Sequence, residues 1–147
     1  MRALRIMMVL PVMGLGLAAS PVLAAPAAAS PYHAALSAAD EVPSPGPPGG
    51  TGTAKLTLDE VTGEVCYDLT WNGPVAAPPP NAAHIHKGGK GTSGPIVVLL
   101  SATTAHTCTS VPAAVIQGIA SDPNGYYVNI HNDRYPGGAV RGQLAAG

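Results

Sequence analysis

The chain has 147 residues, with seven basic and eight acidic side chains and a formal net charge of −1. Setting aside Arg2 and Arg5 of the N-terminal leader leaves five basic against eight acidic residues, a net charge of −3, which excludes a basic footprint for nucleic acid or a polybasic membrane patch. Phe is absent and the aromatics are one Trp and five Tyr, so the core of this single-domain length must come from Val, Ile, Leu and Ala.

Residues 1–24 read as a signal peptide: Arg2 and Arg5 precede an apolar run over 6–17, and Val22-Leu23-Ala24 offers small residues for cleavage. The run is short and interrupted by Pro11 and two glycines, so a membrane span is not expected after cleavage. Export to a periplasmic or extracellular space follows. Residues 25–31 read as a disordered Ala/Pro tether, and residues 32–147 as the domain.

Residues 32–37 form a candidate first strand, ended by the proline- and glycine-rich stretch 43–50, which no helix or central strand survives. Residues 53–59 alternate Ala54, Leu56 and Leu58 against polar partners, and residues 64–71 place Val65, Tyr67, Leu69 and Trp71 on one face with Cys66, Asp68 and Thr70 on the other. The turn at 60–63 joins them as a hairpin. Pro78, Pro79 and Pro80 make a stiff connection to a strand carrying His84, Ile85 and His86. The glycine-rich stretch 87–94 lacks P-loop spacing and no helix follows it, so phosphate binding is rejected.

A buried strand is expected at 96–100, one short helix at 112–120 with Pro112 at its first position, and strands at 126–131 and 139–144. Pro136, Gly137 and Gly138 read as the turn before the last strand, which should turn Val140, Gly142 and Leu144 inward and Arg141 and Gln143 outward. Seven or eight short strands with one helix predict an all-β Greek-key sandwich or barrel, immunoglobulin-like or superoxide-dismutase-like.

Strand alternation puts His84 and His86 on one face, with Cβ atoms roughly 7 Å apart. His131 ends a second strand. Three neutral imidazoles suit copper or zinc and leave an open position on the ion. His33 and His106 read as surface residues. No Gly-x-Ser-x-Gly elbow exists, and the acidic pairs Asp40-Glu41 and Asp59-Glu60 read as solvated charge, which argues against a hydrolase. Cys66 and Cys108, 42 positions apart, predict a disulfide in an exported protein. Arg141 is expected beside the histidines as an anion or partner contact, with a salt bridge to Asp68 or Asp133 as the alternative.

The ordered string from Ala34 to Pro43, then Gly52-Thr53-Ala54, His84-Ile85-His86, Gly94 to Val98, Tyr127 to His131 and Tyr135 to Leu144 resembles a CHRD domain. That module is named for chordin, an extracellular antagonist of bone morphogenetic proteins, and also occurs singly in secreted microbial proteins. The resemblance implies an exported binding module, not a dedicated enzyme, whose partner is an extracellular protein or polymer. The order His84, His86, His131, Arg141 also resembles the copper ligands and guiding arginine of copper/zinc superoxide dismutases, although no bridging histidine and no His/His/Asp zinc loop accompany it. That likeness implies, as the alternative function, a mononuclear copper or zinc protein with redox or dismutase-like activity.

Overall fold

A computed structural model describes residues 29–147, so the expected signal peptide and most of the tether lie outside the described residues. Among the described residues nine strands and one α-helix follow in chain order: β1 Ser30–Ser37, β2 Thr51–Asp59, β3 Glu64–Asn72, β4 Pro80–Lys87, β5 Ile96–Leu100, β6 Thr107–Ser110, α1 Ala113–Ser121, β7 Tyr126–Asn132, β8 Tyr135–Gln143 and β9 Ala145–Ala146. They form one antiparallel sheet, ordered β5-β4-β7-β8-β1-β2-β3-β6 with β9 on β1, nearly closed into a barrel.

Strand alternation builds the interior. Ala54, Leu56 and Leu58 of β2 and Val65, Tyr67 and Leu69 of β3 are buried, and Thr57, Cys66 and Asp68 face outward. Val140 and Leu144 turn inward as expected, and Gly142 passes so close to β1 that a Cβ there would lie 2.0 Å from the Ala35 carbonyl oxygen. Only glycine permits that approach. The helix covers the interior with Ile116 and Ile119, each contributing about 2 kcal/mol by burial. Among the described residues no helix is long and apolar enough to cross a membrane.

Several boundaries differ from expectation. Ser30 and Pro31, assigned to the tether, already pair with Leu58 and Thr57 in the β1–β2 ladder. The helix begins at Ala113 with Pro112 as its cap. The turn before β8 is Asp133-Arg134, not Pro136-Gly137-Gly138, because the Asn132 side-chain oxygen accepts from the backbone N–H groups of Arg134 and Tyr135 and closes the turn there. Pro136 to Gly138 continue as strand. Two elements, β6 and β9, were not expected at all.

Register and cover position the site. On β4, His84 stands opposite Asn129 of β7, His86 opposite Tyr127, and Ala82 opposite His131, so all these side chains leave the sheet on its outer face. β8 continues the rows, with Arg141 opposite Asn129 and Gln143 opposite Tyr127. Residues 88–95 fold over this face above Tyr127 and Arg141, and all seven residues of β7 are buried.

Candidate metal centre

Each histidine is held by a different local device. His131 is 8% exposed, and its Nδ1–H donates to the Pro136 carbonyl at 3.0 Å. His86 is half-buried, and its Nδ1–H donates to the Gly94 carbonyl at 2.8 Å. These carbonyls accept only, so both rings carry their proton on Nδ1 and present a bare Nε2 lone pair. The His131 Nε2 lies 3.0 Å from His84 Nδ1, and the His86 Nε2 is buried without a hydrogen-bond partner. One ligand nitrogen from each ring can be chosen so that all three lie within 4.8 Å of one another. The structure therefore brings the three expected ligands together across two adjacent strands.

The electrostatics favour the neutral rings that a metal needs. Burial, reinforced by the His84 ring nearby, pushes the His131 pKa down to about 4. Burial, with His86 adding to it, also lowers His84. At neutral pH the His84 and His131 rings are uncharged and supply lone pairs. It opens on a cavity of about 370 Å³ whose walls include Asn81, Ile96, Asp133 and Pro136. Three nitrogens and an open side facing a cavity fit zinc or copper with one position left for water or a ligand.

The histidine face has a backing that sequence reasoning missed. The Tyr127 ring stacks on His86, with centroids 4.8 Å apart and planes 7° from parallel, and the Arg141 guanidinium lies 3.5 Å from the Tyr127 ring centre. Arg141 is 2% exposed and donates to the carbonyls of Thr92 and Gly89 and to the Gln143 side-chain oxygen. Gln143 donates to the Gly88 carbonyl, and Gly94 N–H donates to the Tyr127 hydroxyl. The glycine-rich loop thus turns its carbonyls inward, onto the strand side chains. That orientation opposes phosphate binding and explains how Gly94 is fixed where it orients His86.

Arg141 lies on the histidine face, as expected, but no carboxylate pairs with it among the described residues. Asp68 instead holds His106 at 3.1 Å and Asp133 accepts from Asn81. The guanidinium also borders a cavity of about 570 Å³ with His33, Lys90 and Asn124. Glu41, read as solvated, is 5% exposed, and burial raises its pKa to about 7. Nothing in its sequence context beside Asp40 signals this.

Cys66 and Cys108 stand directly opposite in the β3–β6 ladder and form a disulfide, with Cα atoms 3.9 Å apart. Their sulfurs and a His106 nitrogen form a second trio within 4.8 Å, but the sulfurs are bonded to each other, so neither offers a thiolate to an ion. The sequence model of the CHRD domain matches residues 32–144. No curated protein and no solved structure matches the chain.

Proposed function

This chain belongs to the CHRD domain family, and we propose that it is an exported binding module that holds one copper or zinc ion at His84, His86 and His131. The observation that carries this reading is the unpartnered, buried Nε2 lone pair of His86, beside the His131 Nε2 and the His84 Nδ1. His86 and His131 each use Nδ1–H on a backbone carbonyl, and the buried His86 Nε2 has no partner. A buried acceptor without a partner is unfavourable unless something fills it, and a cation does so here. Among divalent ions copper should bind most tightly to such a set.

Export is supported by the disulfide, which persists in oxidising compartments. An extracellular protein or polymer is the proposed partner class. Ile96 and Leu99 of β5 support it, because they stand opposite His86 and His84 and are 48% and 70% exposed, with Ile96 lining the cavity.

Protein stripped with chelator and reloaded with copper or zinc should retain one ion per chain after desalting, measured by elemental analysis. His86→Ala and His131→Ala should each lose that retention. No stoichiometric retention by the wild type overturns the proposal.

The second reading, redox or dismutase-like chemistry at the same ion, is favoured by the open position facing the cavity. Against it stands Arg141, whose donors face loop carbonyls. Turnover of superoxide by copper-loaded protein, absent in His131→Ala, would decide for it.

A further inference from the structure

We propose that the Cys66–Cys108 disulfide is a thiol-exchange site: low-molecular-weight thiols are its substrate class, Cys108 is the sulfur attacked, and His106, held by Asp68, gives a proton to the departing Cys66 sulfur.

Access is the first support. β6 is a four-residue strand at the end of the sheet order, paired with β3, and Cys108 is exposed on it while Cys66 is half-buried on β3. Both sulfurs sit on the outer face, since Val65, Tyr67 and Leu69 take the inner one. Exchange requires a thiolate to reach one sulfur, and burial is what ordinarily protects a structural bridge. This bridge lacks that protection on the Cys108 side.

The neighbours are the second support. A His106 nitrogen lies within 4.8 Å of both sulfurs. Its Nδ1 sits 3.1 Å from the Asp68 carboxylate, whose own strand position is two residues from Cys66 on the same face. A carboxylate behind an imidazole fixes the orientation of the ring. An imidazolium beside a disulfide speeds cleavage, because the sulfur that leaves does so as a thiolate and departs faster when that charge is neutralised.

The step balances as follows. The incoming thiolate forms a new S–S bond with Cys108 as the Cys66–Cys108 bond breaks, and the bonding pair leaves on the Cys66 sulfur. That sulfur takes a proton from His106, which becomes neutral. A second thiolate attacks the outer sulfur of the mixed disulfide and releases Cys108 as a thiolate, which takes a proton from water. Two small thiols are oxidised to their disulfide, and the protein bridge is reduced to two thiols. The fold should survive, because β3 keeps its nine-residue ladder to β2.

The experiment incubates the full exported protein with reduced glutathione as probe thiol, without denaturant, quenches with an alkylating reagent and maps adducts by mass spectrometry. We expect a mixed disulfide on Cys108 that forms while the far-UV dichroism stays native. His106→Ala should slow its formation about a hundredfold, the low end for a positioned proton donor lost. Asp68→Asn should slow it in the same direction, and Asp68→Glu should restore it. Reduction that requires denaturant, an adduct confined to Cys66, or a wild-type rate in His106→Ala overturns the proposal.

Discussion

Glu41→Gln should stabilise the protein above neutral pH and leave it unchanged in acid. Glu41 is 5% exposed, and its Oε1 has no partner. Its carboxyl packs against Gly138 so tightly that a Cβ there would lie 2.4 Å from it. Burial raises the pKa from 4.5 to about 7, against the opposing pull of Arg141 and the Val42 N–H. A carboxyl whose folded pKa is raised keeps its proton in the native state after the unfolded chain has lost it. Its contribution to stability is therefore present below about pH 4.5 and is lost as pH rises through about 7. At 1.36 kcal/mol per pKa unit the wild type loses about 3 kcal/mol across that window, while the neutral amide loses nothing. His131 runs the other way, since its folded pKa of about 4 lies below its ordinary 6.5 and its contribution is lost as pH falls from 6.5 through 4. That effect is common to both proteins and cancels in their difference. Urea unfolding of both proteins at pH 4.5 and pH 8, with chelator present, measures the effect. The Glu41→Gln advantage should grow by about 3 kcal/mol, roughly 10 °C in melting temperature for a domain this size. Parallel stabilities at the two pH values would refute the burial argument.

Three further outcomes follow from the geometry. Gly94→Ala places a Cβ 1.7 Å from the Lys87 carbonyl oxygen; the displaced Gly94 carbonyl should release the His86 ring and weaken copper or zinc affinity about 10–100-fold by titration calorimetry. Replacing Cys66 and Cys108 by Ser removes a bridge spanning 42 positions and should cost about 4 kcal/mol in the chain-entropy account, read from denaturant midpoints. Gly142→Ala drives a methyl into the Ala35 carbonyl and should destabilise by about 3 kcal/mol, with metal retention intact in whatever fraction folds.

Strand faces were legible because alternation is local. Ala54, Leu56 and Leu58, or Val65, Tyr67 and Leu69, announce an inner face with no knowledge of the partner strand. β6 escaped because Thr-Cys-Thr-Ser at a sheet edge buries no apolar row, so it carries no alternation signal. β9 is two alanines held by β1. The β7–β8 turn was misplaced because proline and glycine dominate the text at 136–138, whereas the chain turns where the Asn132 side chain can accept two backbone N–H groups. Glu41 is the sharpest failure, since burial of a carboxyl beneath the β8 backbone is a long-range event with no local sign.

The histidine cluster shows where legibility stops. That His84 and His86 share a face follows from period two alone. That His131 joins them depends on β7 lying beside β4 and on the register that sets Ala82 opposite His131. A one-residue slip would send His131 to the opposite face. What decides the chemistry lies a further step out, in which ring nitrogen carries the proton. Pro136 and Gly94 settle that through their carbonyls, and Gly94 is held by a loop whose inward carbonyls meet Arg141 and Gln143. Arg141 thus serves the cluster through backbone and stacking, and its charge is neutralised by dipoles and the Tyr127 face instead of a carboxylate. Each ligand's orientation is inherited from a residue that carries no metal chemistry of its own, so residue type alone could name the three histidines but could not say which atoms they present.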